Sequence, residues 1–229
     1  MASFDSYFRE WARFIDKNKL FKIINTLNTE YKVKSIMPKY ENIFKCFEYC
    51  DYNNLKVIIL GMDPYPQPGV ATGIAFANNI KDGESTLLSP SLKIIKEACI
   101  NYEVPHYFTN FDPTLISWEK QGVLLLNSAL TVETNKPGSH RMLWRPFIAS
   151  FLSSLSISCC GIIYVLLGTD AKSFKMYINS KSSVVLEANH PSYYARLNKR
   201  MPSSLFEDIN NEVQLRWNTK IKWYGEQED

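Results

Sequence analysis

Histidine is scarce in this chain, three in 229 residues at positions 106, 140 and 190. No Cys-x-x-Cys or His-Glu-x-x-His spacing accompanies them, so a metal centre has no ligand set to draw on. Cysteine is limited to five, an odd number without regular spacing, which argues against a disulfide framework and for a reducing interior. Cys159-Cys160, just ahead of an apolar run, reads as core packing. Neither Gly-x-Gly-x-x-Gly nor Gly-x-x-x-x-Gly-Lys-Ser/Thr occurs, which argues against a nucleotide-binding α/β protein of either kind. A charged-then-apolar amino-terminal signal is missing, and no apolar run approaches the ~20 residues a bilayer crossing needs. The expectation is a soluble, intracellular protein with no membrane span. Internal repeats and low-complexity tracts are absent too, and only Gly225–Asp229 reads as a frayed tail.

What the chain does hold is a recurring local grammar. Leu55-Lys-Val-Ile-Ile-Leu-Gly61 stops at glycine, as a strand buried on both faces of a parallel sheet does, and Met62-Asp63-Pro64-Tyr65-Pro66-Gln67-Pro68-Gly69 can continue neither strand nor helix. Gly122-Val-Leu-Leu-Leu126 ends in Asn127, and the run from Gly161 to Leu167 ends in Gly168-Thr169. Val184-Val-Leu186 leads through Glu187-Ala-Asn189 into His190-Pro191-Ser192. With helical patterns between them, these runs predict parallel strands. Ligands of open α/β sheets bind beyond the carboxyl ends of the strands, so Asp63, Asn127, Thr169 and His190 are expected on one rim. At 26.5 kDa and 45% hydrophobic residues, the chain reads as one α/β domain over 1–229, a short parallel β-sheet flanked by helices. Its motif-bearing core spans about 55–200, behind a helical amino-terminal part over 1–50.

Phe4, Tyr7, Phe8, Trp11, Phe14 and Ile15 recur at three-and-four spacing and predict an amphipathic first helix packed on the core. Residues 20–50 read as helical and irregular in turn, with a break at Pro38. Further helices are expected at about 90–102, 144–157, 170–180 and 203–216, with Ser89-Pro90-Ser91 as a helix entrance. A net charge of +3 and a pI near 8.5 permit a polyanionic partner without requiring one. From Tyr193-Tyr194 through Arg196 to Lys199-Arg200, aromatics and cations interleave, which suits base stacking beside phosphate neutralisation and equally suits a solvated loop.

Gly61-Met-Asp-Pro-Tyr65, the Gly-x-Ala-Phe at 73–76, Gly122-Val-Leu-Leu-Leu-Asn127 with Leu130-Thr-Val132, and His190-Pro-Ser192 together resemble the family 1 uracil-DNA glycosylases, in order and at family-like spacing over about 55–200. The resemblance implies a monofunctional enzyme that flips uracil out of single- or double-stranded DNA and hydrolyses its N-glycosidic bond, without a cofactor. Breaking that bond develops positive charge on the sugar and negative charge on the departing base, so the site needs an anion for one and donors for the other. By resemblance, Asp63 positions the attacking water and stabilises the cationic sugar, and His190 donates to uracil O2. A turn-capping acid and a satisfied core histidine are the plain alternatives. Asn127 would pair with uracil N3–H and O4, a pattern cytosine cannot match. Tyr65 would occupy the space thymine's methyl group requires, and Phe76 would stack on the flipped base unless it is ordinary core. Ser91, Thr169 and Ser192 would grip the backbone, though short hydroxyls at helix starts also cap helices.

The chain departs from the family in several places. Met62 stands where Gln is usual, lining the substrate site, and Pro66 where His is usual; poxviral members also carry an apolar residue and a proline there. The family's Pro-Leu-Ser after His-Pro-Ser is Tyr193-Tyr194-Ala195, which puts Tyr194 at the wedge position with Tyr193 as its competitor and Arg196 beside them on DNA. The departures leave one alternative function, a DNA-binding replication accessory subunit with weak or lost catalysis. The expected molecule is a monomer acting on DNA, with a proteinaceous inhibitor or a replication partner as the protein partners the resemblance allows.

Overall fold

The computed structural model describes residues 4–79, 88–100 and 109–226. Its centre is a four-stranded sheet made of β1 (Val57–Gly61), β2 (Val123–Asn127), β3 (Ile163–Leu167) and β4 (Val184–Ala188), in the order β2-β1-β3-β4. Every neighbouring pair is parallel, with Val57 opposite both Val123 and Ile163, and Ile163 opposite Val184. β1, β2 and β3 are buried along their whole length, whereas β4, at the edge, is only partly covered. That difference explains their compositions: unbroken Val, Ile and Leu in the first three, and Glu187 admitted in the fourth. Because the chain moves outward from β1 to β2 on one side and through β3 to β4 on the other, the carboxyl edge opens a crevice between β1 and β3.

Helix Arg141–Ser158 brackets the predicted 144–157, Ser204–Trp217 is shifted by one residue from the predicted 203–216, and Pro90–Ile100 starts at the predicted Pro90. Residues 101 and 102 lie outside the described set. Ser204–Trp217 packs on β3 and β4, and Pro90–Ile100 packs on the short helix Pro191–Arg196. The Ser89 hydroxyl accepts from the Leu92 N–H at 3.4 Å, so Ser89 caps this entrance while Ser91 sits inside the helix.

Several expectations are corrected. The first helix is only Phe4–Phe8, followed by a 3-10 segment Arg9–Phe14. Arg9 turns into the left-handed region, and its guanidinium donates to the carbonyls of Phe47 and Glu48. Phe8, Trp11, Phe14 and Ile15 are still buried, so packing on Phe47 and Phe151 overrides the helical period without losing the apolar face. Residues 20–50 do alternate helix with irregular chain: the long helix Lys17–Val33 ends before Pro38, and a 3-10 turn Tyr40–Asn42 and a short helix Cys46–Tyr49 follow it. The helix expected at 170–180 is split into Thr169–Lys172 and a 3-10 turn Lys175–Tyr177. Cys160 is exposed, whereas Cys159 is half-buried against the core with its Sγ 3.1 Å from the Tyr52 hydroxyl, so core packing holds for Cys159 alone. Gly225 and Glu226 pair antiparallel with Asn110 and Thr109, so the tail begins as a strand and not as a frayed end. Among the described residues no helix is long and apolar enough to cross a membrane.

Candidate active site

The four strand ends do converge. Met62, Asp63, Tyr65, Phe76, Ser91, Asn127, Thr169, His190, Ser192 and Arg196 all line one cleft of about 1000 Å³ at the carboxyl edge of the sheet. Tyr194 does not line it. Helix Pro191–Arg196 turns about 100° per residue, so Ser192, Ala195 and Arg196 face the cleft while Tyr194 packs half-buried against the core. Tyr193, 41% exposed, is the ring presented to solvent.

Asp63 is held by a residue that no motif announced. The Gly138 N–H donates to Asp63 Oδ2 at 2.5 Å. Burial raises the Asp63 carboxyl above its ordinary range; the Gly138 hydrogen bond opposes this, Asp170 adds to it and Arg141 opposes it. Asp170 and Arg141 form an ion pair at the same edge. Pro137-Gly138 is recognisable in sequence as a turn, but nothing local says that its amide points at Asp63.

His190 occupies the N-cap of its helix, with Nδ1 accepting from the Ser192 N–H at 3.2 Å and lying 2.8 Å from Ser192 Oγ. A ring nitrogen that accepts from an amide is unprotonated, so the neutral imidazole carries its hydrogen on Nε2. Burial, reinforced by Arg196, pulls the His190 pKa down to about 4, so this neutral form prevails at pH 7. Ser192 thus orients the imidazole, and the helix-capping role weighed for it is filled by His190 instead.

Gly61 lies directly behind two of the residues that line the cleft, Asn127 and Phe76. A Cβ there would lie 2.6 Å from Asn127 Oδ1 and 2.9 Å from Phe76 Cζ, so any side chain would displace both. Asn127 ends β2 at 8% exposure, and its amide makes no hydrogen bond to the described residues. Phe76 is buried with φ of +66°, a strained conformation for a residue with a side chain. The Tyr65 hydroxyl holds it there by donating to the Phe76 carbonyl at 2.9 Å, and accepts from Ser89 Oγ at 2.6 Å. Phe76 and His190 stand 5.6 Å apart between ring centroids. Thr169 is exposed at the cleft edge, and Ser91 is buried beneath it.

An acid, an unpaired amide and a neutral imidazole around an aromatic floor can accept one planar base and stabilise opposite charges on either side of a breaking bond. The family model of the uracil DNA glycosylase superfamily matches residues 47–214. The chain is 37% identical to a uracil-DNA glycosylase of Mycoplasmopsis pulmonis, over 94% of this chain and 97% of that one. Its fold is similar to that of mimivirus uracil-DNA glycosylase, with a TM-score of 0.72 at 22% identity, covering 97% and 94% of the two chains. A variant of the mimivirus protein solved in complex with UGI matches at a TM-score of 0.72 and 21% identity, over 97% and 95%. The chain belongs to the uracil-DNA glycosylase superfamily.

Proposed function

We propose that this protein excises uracil from DNA, hydrolysing the bond between base and deoxyribose to leave an abasic site. The observation that carries the proposal is the convergence of Asp63, Asn127 and His190, from three strand ends, on one cleft with Phe76 as its floor. In this reading the nucleotide leaves the stack, and its Watson–Crick edge meets the Asn127 amide. As the bond stretches, the His190 Nε2–H donates to uracil O2, and the Asp63 carboxylate faces the cationic sugar and the attacking water. Neutral histidine suits this task, since it donates a hydrogen bond without needing a proton to be returned. Tyr65, anchored at both Phe76 and Ser89, closes the space beside C5. Ser91 and Thr169 grip phosphates, with Arg196 supplying charge.

DNA is accordingly the partner, the chain acts as a monomer and a single domain, and it works wherever the DNA is held. A proteinaceous inhibitor is a further partner class, supported by the structural neighbour solved with UGI. The relatives do not favour the accessory-subunit alternative. The test is excision of uracil from an oligonucleotide in EDTA. Asp63→Asn is expected to lower the single-turnover rate at least ~100-fold while DNA affinity changes little, because the charge is needed mainly in the transition state. A wild type that leaves uracil in place, or a variant as fast as wild type, overturns this reading.

A further inference from the structure

Asp63 is the acid of the proposed reaction, yet a second carboxylate, Asp170, lines the same cleft. Two like charges at one site disfavour each other's ionisation. Arg141 answers the conflict. It pairs with Asp170, and its side chain lies over Gly138, where an added Cβ would meet Arg141 Cδ at 3.0 Å and Nη1 at 3.7 Å. The Arg141 N–H also donates to the Gly138 carbonyl at 3.2 Å, so one residue meets Gly138, whose amide binds Asp63, through both its backbone and its side chain.

The pair is a poor candidate for a stability device. The Arg141 side chain is 49% exposed against 18% for Asp170, and an ion pair with one partner open to solvent contributes little to folding. A second tie already joins the same two segments, since Arg145 Nη1 donates to Ser173 Oγ at 2.9 Å. What distinguishes Arg141 and Asp170 is their position: one begins the helix after the Gly138 turn, the other follows Thr169 at the end of β3.

We propose that the Arg141–Asp170 ion pair is a positioning device for the reaction at Asp63: it pins the turn that presents the Gly138 N–H and cancels the charge of a second carboxylate beside the first. The pair is thus a positioning element and touches no reacting atom. The inference rests on uracil excision as the function. The charged groups acting on Asp63 from neighbouring elements are Arg141 and Asp170, and His190 and Arg196 line the same cleft.

The experiment is the pH profile of single-turnover uracil excision for wild type, Asp170→Asn, Arg141→Gln and the double variant, with the Asp63 carboxyl titrated in parallel by ¹³C NMR. Asp170→Asn leaves Arg141 unopposed, so the acidic limb and the Asp63 titration should both move to lower pH. Arg141→Gln leaves Asp170 unopposed, and both should move to higher pH. The double variant should return towards wild type. Coincident limbs in all four proteins, or equal losses at every pH as a merely structural tie would give, overturn the proposal. If Arg141→Gln does not fold, Asp170→Asn and its Asp63 titration decide alone. Absence of excision by wild type would instead defeat the functional reading, and the carboxyl titration would still judge the ion pair.

Discussion

At the scale of single residues, the site depends on which way each side chain leaves the backbone. Gly61 is needed because Asn127 and Phe76 both occupy the space a Cβ would take. The two tyrosines after Ser192 illustrate the same point on a helix. Alignment with the family favours Tyr194 as the wedge that fills the vacated base stack, but Tyr194 is half-buried and Tyr193 is the exposed ring, 5.3 Å from it in an edge-on contact. Aromatic stacking on a base is worth about 1–3 kcal/mol, and Tyr193 is the ring with more of its face open to one. Tyr193→Ala should therefore slow excision from duplex roughly 5-fold or more, by that stacking energy, with a smaller effect on single strands that have no hole to plug. Tyr194→Ala should chiefly lower the melting temperature. Rates on paired substrates check this, and a duplex-specific defect confined to Tyr194→Ala would return the role to that residue.

Among elements, the turn that carries Gly138 is gripped from behind by a buried polar chain. Trp144 Nε1 donates to Thr131 Oγ1 at 2.7 Å, Thr131 Oγ1 lies 2.7 Å from His140 Nδ1, and His140 Nε2 faces a Glu30 carboxylate oxygen at 3.2 Å. The chain joins helix Lys17–Val33 to the segment after β2 and to the start of helix Arg141–Ser158. Since the Trp144 N–H can only donate, the Thr131 hydroxyl is free to give its own hydrogen to His140, which keeps the buried imidazole neutral; burial lowers the His140 pKa in the same sense. Thr131→Val preserves shape but orphans both neighbours, at about 1–3 kcal/mol per unsatisfied group. Denaturant unfolding should show a lower midpoint at unchanged slope. A loss under about 0.5 kcal/mol, the range of an ordinary surface change, would mean that the chain does not stabilise this junction.

For the whole molecule, one core cluster runs from the amino-terminal aromatics through the sheet to Trp223, and it encloses an acid. Glu119 is 0% exposed, and neither carboxyl oxygen has a hydrogen-bond partner among the described residues. Burial raises its pKa well above the carboxylate range. Glu119 in the folded protein thus holds its proton to a higher pH than in the unfolded chain, so its contribution to stability is fully present below the unfolded carboxylate pKa and is lost as pH rises through the folded value. Glu119→Gln removes that dependence. Thermal melts from pH 4 to 9 should show the variant gaining on wild type as pH rises, and parallel curves would contradict a proton on Glu119.

The extent of what was readable in advance follows from the range of the forces involved. Apolar runs ending in Gly61, Asn127, Gly168 and the His190 segment were legible as parallel strands, because burial on both faces dictates composition locally. Motif order then brought Asp63, Asn127 and His190 to one rim without any knowledge of their distances. The Gly138 amide on Asp63, the Arg141–Asp170 pair and the His140–Glu30 contact join segments far apart in sequence. No local pattern encodes such contacts, since each partner is chosen by how the layers pack. The first helix broke at Arg9, and Tyr193 is more exposed than Tyr194, for the same reason: neighbours in space set the backbone turn and the side chain's direction. Composition and motif determined which groups this protein carries to its strand ends, and tertiary packing decided which of them meet, because a hydrogen bond reaches only about 3 Å and exposed charges are screened beyond about 10 Å.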